Sequence, residues 1–213
     1  TVSANTTAGF SIVSWTGTGS AATIGHGLGA VPTMIIVKNR DQSDDWYCYN
    51  VHNGNTHSIL LNTDGAKVGA YSDNWNDTTP TSSVFSVGGS HATSGGSSEK
   101  MIAYCFTDIK GYSKFGSYTG NGNADGTFVY TGFRPAWIMA KRTTAAYDWY
   151  VFDNKRPGYN EVGLSLRASQ SHGETQASGY PLDIVSNGFK IRTSNSALGG
   201  GGDPYIYMAF AEA

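Results

Sequence analysis

Short apolar segments alternate with turn-forming residues along nearly the whole chain. Phe10–Trp15 alternates apolar and polar side chains and is rich in β-branched residues, and Thr16–Gly19 then supplies a turn. Thr33–Lys38 is a continuous apolar run, typical of a strand that is covered on both faces. No segment keeps the helical period together with the end caps of a helix. Many short strands with glycine-rich turns indicate a sandwich or a barrel, and we expect an all-β antiparallel β-sandwich with little helix.

The same pattern sets the positions of the expected strands. In the N-terminal half we expect strands at 10–15, 21–24, 33–38, 46–51, 58–61, 83–87 and 101–106. In the C-terminal half we expect them at 115–118, 128–130, 137–141, 149–153, 163–166, 183–186, 189–192 and 205–211. A long polar loop, 62–80, interrupts the first series.

The two halves of the chain repeat each other at a constant spacing. Trp15–Gly19 reads aromatic, Thr, Gly, polar, Gly, and Tyr118–Gly122 reads the same way. The spacing between matched residues changes only once, by one residue, and the match then continues to the end of both halves. We therefore predict a tandem duplication of a unit of about 100 residues. The further matches are Pro32 with Pro135, Lys38 with Lys141, Asp45–Tyr47 with Asp148–Tyr150, Phe85 with Phe189 and Phe106 with Phe210.

These matches divide the chain into four segments. Residues 1–9 form an N-terminal arm, 10–109 the first β repeat, 110–114 a short connector and 115–213 the second β repeat. A connector of this length does not let two bodies swing freely. We therefore expect the two repeats to pack tightly or to form one compact body.

Composition and charge narrow the classes of function. Charged residues make up 14 % of the chain, well below the usual quarter, while aromatic residues reach 13 %. The net charge is −2 and the basic residues are scattered, whereas a nucleic-acid-binding protein shows a basic face. No apolar run is long enough to span a membrane. We therefore expect neither nucleic-acid binding nor membrane insertion.

The two cysteines are expected to be buried and unpaired. Cys48 matches Val151 and Cys105 matches Ala209, so the other copy carries a small apolar residue at each position. A free thiol packs like such a residue. A Cys48–Cys105 disulfide is the alternative, and two cysteines are too few for a zinc framework.

Catalytic and metal-binding patterns are weak in this sequence. The five histidines lie in unrelated contexts, His26 matches Tyr130 in the other half, and no Gly-x-Ser-x-Gly motif is present. We therefore expect no enzyme activity and no cofactor. The segment Asp73–Asp77 offers closely spaced oxygen ligands for a calcium ion, but it lacks the glycine and glutamate of a loop site. A calcium site is therefore unsupported, and the metal stays undecided.

Aromatic side chains within polar loops are the better functional signal. A feature that both halves share reflects the fold, whereas a feature of one half is free to serve a function. Exposed rings can stack on the C–H faces of sugars, while amides and carboxylates bind the hydroxyls. The alternative for Trp75 is that its ring folds inward and covers the edge of the sandwich. The candidate glycan-binding residues are Tyr71, Asp73, Trp75, Asp77, Tyr147 and Tyr159.

Several segments of the sequence resemble a module found in structural proteins of tailed phages, many of them marine. They are Gly9–Gly19 with Gly25–Pro32, Lys114–Gly122 with Thr131–Pro135, Asn187–Arg192 and Tyr205–Glu212. The resemblance spans the chain from about residue 9 onward and brings no catalytic motif with it. It implies a virion-associated, extracellular β domain of a tail fibre or a decoration protein. Its implied partners are a host cell-surface polysaccharide, other virion proteins and further copies of itself, and its implied role is host attachment.

Three other functions stay open at this stage. The chain could be a carbohydrate-binding module of a secreted bacterial protein, which the genes around it would reveal. It could be a purely structural or trimerising virion domain, and Tyr71, Trp75 and Tyr159 would then be buried or lie at subunit contacts. A glycan-cleaving enzyme would need two facing carboxylates in a groove, which the sequence neither shows nor forbids.

Overall fold

The computed structural model describes residues 1–69, 72–156, 159–176 and 179–212, and almost all regular structure within them is β. The chain divides into two compact units. Unit 1 comprises Thr1–Asn62 and Lys67–Asp108, and unit 2 comprises Thr63–Ala66 and Ile109–Ala213. No helix in the described part of the chain is long and apolar enough to cross a membrane. The expected all-β antiparallel sandwich class with little helix is confirmed.

The strands and the two single-turn helices have the following bounds. Unit 1 contains β1 (Val2–Asn5), β2 (Phe10–Thr16), β3 (Ala22–Gly25), β4 (Met34–Asn39), β5 (Tyr47–Asn50), β6 (His57–Leu60), β7 (Val68–Gly69), α1 (Ser72–Trp75), β8 (Val84–Val87), α2 (His91–Ser94) and β9 (Lys100–Phe106). Unit 2 contains β10 (Ser113–Thr119), β11 (Phe128–Tyr130), β12 (Pro135–Arg142), β13 (Tyr150–Asp153), β14 (Leu164–Arg167), β15 (Thr175–Gln176), β16 (Leu182–Val185), β17 (Gly188–Ile191) and β18 (Pro204–Ala211).

The predicted strands correspond to observed ones, with a few additions. The N-terminal arm contains β1, which pairs with β2 at the edge of the sheet. The polar loop 62–80 contains β7 and α1. Within the same loop, Thr63–Ala66 belongs to unit 2, which the sequence did not indicate. The segment predicted as a connector already includes the first two residues of β10, Ser113 and Lys114.

The two units use the same strand order. The large sheet of unit 1 runs β1-β2-β9-β4-β5-β6-β7, and that of unit 2 runs β10-β18-β12-β13-β14-β15. A small sheet accompanies each of them, β3-β8 in unit 1 and β11-β17-β16 in unit 2. Apart from β1 and β16, each strand has a counterpart at the same place in the other unit. A tandem duplication would produce this arrangement, and the duplication stays our interpretation of the sequence.

In each unit the core lies between the large and the small sheet. In unit 1, Ile35 and Val37 from the large sheet meet Phe85 and Val87 from the small one, and all four are buried. In unit 2, Ile138, Phe152 and Tyr205 from the large sheet belong to the same core as Val129 and Phe189 from the small one. Each large apolar side chain that is buried in this way contributes roughly 1.5–3 kcal/mol to folding. The small sheet is therefore held in place by the residues of its inner face.

Both cysteines are buried and free, as the sequence predicted. Cys48 on β5 pairs with Ile36, and Ile36 pairs with Tyr104 on β9, the residue just before Cys105. Because successive residues of a strand point to opposite faces, the two thiols lie on opposite faces of the sheet. Burial raises the pKa of the Cys48 thiol above its usual value, and it raises the pKa of Cys105 to about 12.

We expect the folded protein to resist thiol reagents. A buried thiol with a raised pKa presents almost no thiolate at pH 8, so dithionitrobenzoate should react far more slowly than it does with a free peptide thiol. After unfolding without a reductant, the same reagent should release the equivalent of two thiols per chain. Rapid reaction of the native protein, or fewer than two thiols after unfolding, would contradict the placement of both residues.

Candidate functional site

Trp75 lies in the core of unit 1 and cannot stack on a ligand. Its ring is 1 % exposed and packs edge-on against Tyr49, with 5.7 Å between the ring centroids. The indole Nε1 donates a hydrogen bond to the hydroxyl of Ser58 at 2.8 Å. The prediction of Trp75 as a glycan-binding residue was therefore wrong, and the alternative that its ring folds inward is correct.

The residues around Trp75 do not form a binding site with it. Asp73 and Asp77 are exposed, but the amide of Asn74 between them turns inward and donates to Ser58 Oγ at 3.1 Å. Tyr71, the remaining candidate of this loop, lies outside the described residues. Within the described ranges no group of three or more His, Cys, Asp or Glu side chains could hold a metal ion. Asp73 and Asp77 therefore belong to no such group among the described residues.

The two candidates of unit 2 lie in different surroundings. Tyr147 is half-buried, and the guanidinium carbon of Arg142 stands 5.2 Å from the centroid of its ring. Tyr159 is 80 % exposed. Its neighbour Asn160 accepts the N–H of Ile184 on β16 and donates to the carbonyl of the same residue, both at 3.0 Å. Of the predicted residues that the structure describes, Tyr159 alone presents an open ring on an anchored segment.

A pair of exposed rings that the sequence analysis did not select lies on β11. Phe128 is 45 % exposed and Tyr130 is 65 % exposed, whereas Val129 between them is buried in the core. Because side chains alternate along a strand, burial of Val129 turns both rings outward. Opposite them on β17 stand Lys190, which faces Phe128, and Gly188, which faces Tyr130.

The outer surface of the small sheet of unit 2 is called the aromatic face below. It continues from β17 to β16, where Asp183 pairs with Lys190 and Val185 pairs with Gly188. A Cβ added to Gly188 would come within 2.1 Å of the Val129 carbonyl oxygen, so only glycine permits this close approach of β11 and β17. Because Gly188 has no side chain, the position opposite Tyr130 on β17 is left open. The aromatic face consists of Phe128, Tyr130, Asp183, Val185, Gly188 and Lys190.

Ion pairs fix the charged groups beside the two rings. The ammonium of Lys190 lies 2.6 Å from the carboxylate of Asp125. The guanidinium of Arg192 lies 3.5 Å from both Asp125 and Asp183, and 3.8 Å from Glu161. The hydrogen bond from Lys190, together with its charge, holds the pKa of Asp125 below its usual value. The rings are thus bordered by ion-paired donors and acceptors.

Unit 1 has no such rings at the corresponding place. Ile24 on β3 pairs with Phe85 just as Val129 on β11 pairs with Phe189. This pairing makes Thr23 and Gly25 the counterparts of Phe128 and Tyr130. It also corrects the match of His26 with Tyr130, which is off by one residue. The rings therefore belong to one unit only and are not required by the shared fold.

A second polar cluster surrounds Glu99 in unit 1. One carboxylate oxygen of Glu99 accepts hydrogen bonds from Asn39 and from the backbone N–H of Gly96, both at 2.7 Å. The imidazole of His91 stands between Glu99 at 3.1 Å and Asp44 at 3.3 Å. This cluster fastens the segment after α2 to the ends of β4 and β9.

The same place in unit 2 is occupied by an ion pair. Arg142 ends β12 as Asn39 ends β4, and its guanidinium lies 2.6 Å from the carboxylate of Asp203, which precedes β18 as Glu99 precedes β9. Both units therefore anchor a glycine-rich segment through a carboxylate just before their last strand. Because both units contain this contact, we assign it to the fold and not to a ligand.

Comparison with known proteins identifies the family. The whole chain, residues 1–213, matches the model of the family described as Domain of unknown function (DUF7483). The chain therefore belongs to that family. No curated protein and no solved structure matches it.

The carboxylate of Glu99 should stabilise unit 1 in a pH-dependent way. Partial burial acts to raise the pKa of Glu99, but hydrogen bonds from Asn39, Gly96 and Gln42 and the nearby His91 outweigh it and lower the pKa below the ordinary 4.5. A lowered folded pKa means that the stabilisation is complete above about 4.5 and is lost as the pH falls through the folded pKa. Glu99→Gln should therefore lower the Tm at pH 7, and the difference from the wild type should shrink in acid.

The control is Glu174→Gln on the other unit, where an exposed carboxylate makes only a long ion pair with Arg156, at 3.6 Å, and the Tm should change much less than in Glu99→Gln. Melting curves recorded at several pH values check the prediction. A difference between wild type and Glu99→Gln that stays constant from neutral to acid pH would count against it.

Proposed function

We propose that this DUF7483 domain binds a glycan through its aromatic face. The observation that supports the proposal is the pair of exposed rings, Phe128 and Tyr130, on a strand whose middle residue is locked into the core. Their Cα atoms are about 7 Å apart along a β-strand, so one oligosaccharide can contact both rings. Because the strand is fixed before binding, little conformational entropy is lost when a ligand orders the surface.

The polar groups of the same surface match the hydroxyls of a sugar. Lys190 lies opposite Phe128 and offers an ammonium, and Asp183 beside it offers a carboxylate. Hydrogen bonds that involve a charged group are stronger than those between neutral groups. The rings would carry the apolar faces of the sugar, while these groups would set its orientation.

We further propose that this binding serves host attachment on a phage virion, the setting that the sequence resemblance implies. A virion or extracellular location puts the aromatic face within reach of a host cell-surface polysaccharide. A shallow face gives weak individual contacts, and the many copies carried by one particle convert weak contacts into strong avidity. A carbohydrate-binding module of a secreted bacterial protein would use the same face, and the rest of its parent chain would distinguish the two.

A purely structural virion domain is the second candidate function. The burial of Trp75 favours this candidate, because a purely structural domain is expected to bury the aromatic residues of its loops. The exposure of Phe128, Tyr130 and Tyr159 speaks for a ligand or for a neighbouring protein that covers them. A glycan array probed with the multivalently displayed protein separates the two candidates, and a blank array from folded protein favours the structural one.

Removal of either ring should weaken binding to a glycan found on the array. We expect Phe128→Ala and Tyr130→Ala each to reduce the affinity about tenfold, which corresponds to about 1.4 kcal/mol. The loss should come without a change in fold, because substitutions of exposed side chains alter stability by about 0.5 kcal/mol or less. Isothermal titration and melting curves measure the two effects.

The matched control is Leu166→Ala, which removes an apolar side chain of similar exposure from β14 in the large sheet. This variant should bind as the wild type does. Tyr159→Ala tests the exposed ring that lies outside the aromatic face. If the double variant of Phe128 and Tyr130 bound as tightly as the control, the aromatic face would not be the binding site.

A further inference from the structure

A groove of about 460 Å³ lies at one end of the large sheet of unit 1, whereas the aromatic face belongs to unit 2. Trp15, Thr16, Arg40 and Lys100 line it, together with Ser14 and Met101. Thr1 lies at its rim, where its backbone carbonyl accepts the N–H of Ser14 at 2.9 Å. Unlike the other polar clusters of unit 1, this groove is bordered by cations.

The strand register places the two cations of the groove side by side. Thr16 on β2 pairs with Lys100 on β9, and Asn39 pairs with the next residue, Met101. Arg40, which follows Asn39, donates its N–H to the carbonyl of Lys100 at 2.8 Å. Arg40 and Lys100 therefore stand opposite each other on one face of the sheet, with Thr16 beside them. Like charges in this position repel each other and destabilise a sheet.

Neither cation has a carboxylate partner in the described part of the chain. No ion pair involves the guanidinium of Arg40 or the ammonium of Lys100, and both residues are exposed. The carboxylate of Asp41 is close by, but it accepts the backbone N–H of Lys100 at 2.8 Å. The nearby ammonium of Lys38 is already bound to the carbonyls of Asn39 and Gln42, at 2.6 and 2.7 Å. Among the described residues, the one carboxylate beside the groove, that of Asp41, offsets only part of the charge of Arg40 and Lys100, so the groove keeps an excess of positive charge.

Trp15, one of the lining residues, has a side-chain donor without a hydrogen-bond partner in the described part of the chain. The indole Nε1 of Trp15 is buried and has no partner among the described residues. Most buried donors in folded proteins have one. The Trp15 ring itself is fixed by an edge-on contact with Phe85, with 6.0 Å between the centroids.

Unit 2 shows that the fold does not need these charges. The row that corresponds to Thr16, Lys100 and Arg40 consists of Thr119, Pro204 and Thr143. Thr119 pairs with Pro204, and Thr143 donates its N–H to the carbonyl of Pro204 at 3.1 Å, which repeats the contact of Arg40 with Lys100. The backbone geometry is therefore shared, whereas the pair of cations is specific to unit 1.

We propose that this groove binds the carboxylate or sulfate groups of an acidic polysaccharide. A guanidinium offers two parallel N–H donors to such an anion, and the ammonium of Lys100 adds a second charge beside it. A bound anion also removes the repulsion between Arg40 and Lys100. Two exposed cations on a chain of net charge −2 fall short of the extended basic face that nucleic acids require. The proposal rests on the proposed function only in taking the ligand to be a polysaccharide.

The test compares polymers that differ in charge. Binding of wild-type protein to polygalacturonate, dextran sulfate and neutral dextran is measured by biolayer interferometry, with duplex DNA and free inorganic sulfate as further probes. The double variant Arg40→Gln/Lys100→Gln should lose binding to the two acidic polymers by about ten- to hundredfold. The control Lys110→Gln/Lys155→Gln removes the same charge from exposed positions elsewhere and should bind as the wild type does. Binding should also weaken as the salt concentration rises.

Four results would overturn the proposal. They are wild-type protein that binds neither acidic polymer, a groove variant that binds like the control, duplex DNA that binds as well as the polysaccharides, and free sulfate that competes as well as polymer-bound sulfate. The Tm of the groove variant should equal or exceed that of the wild type, because the substitution removes a repulsion, and this excludes misfolding as the cause of a loss. The double variant of Phe128 and Tyr130 should keep its binding to dextran sulfate, so failure of the aromatic face and failure of the groove can be told apart.

Discussion

The structure of each unit depends on its last strand, which is hydrogen-bonded on both sides. In unit 1, β9 pairs with β2 along seven residues and with β4 along six, so Phe106 has a partner on each side, in Phe10 and in Met34. In unit 2, β18 holds the same position between β10 and β12. Backbone groups that are withdrawn from water must find such partners, because an unpaired buried N–H or carbonyl is costly. Each large sheet is therefore complete only when the last strand of the unit lies between two strands that precede it in the sequence.

The candidate site follows from the alternation of side chains about this framework. The large sheet supplies one wall of the core, and the small sheet closes it with every second residue of its strands. Val129 and Phe189 take the inner positions of unit 2, so Phe128 and Tyr130 are left on the outer surface. The same alternation in unit 1 puts Thr23 and Gly25 on that surface. The two units thus share one framework but have different outer surfaces. The exposed rings of unit 2 are not required by that framework, and they are therefore the better candidates for a function.

The fold class could be predicted from the sequence because strands and turns are marked by local patterns of residues. Short β-branched segments and glycine turns mark the strands wherever they lie. The sequence was not sufficient for Trp75 in α1, whose buried indole N–H donates to a hydroxyl 17 residues away in β6. Phe128 and Tyr130 were missed because alternation alone does not say which side of β11 faces the core, although the single apolar Val129 between them was a usable signal. Nor could the sequence show that Arg40 stands opposite Lys100, since only the pairing of β4 with β9 brings them together.

The central claim is that the outer surface of β11, β17 and β16 contacts a sugar, and nuclear magnetic resonance tests it most directly. The protein would be titrated with an oligosaccharide of a class that it binds on an array, while its backbone and aromatic resonances are followed. Our account predicts that the shifts of Phe128, Tyr130 and Lys190 change most, while those of buried Val129 and Phe189 change little. A ligand that bound and moved resonances elsewhere, with those of Phe128 and Tyr130 unchanged, would contradict the account.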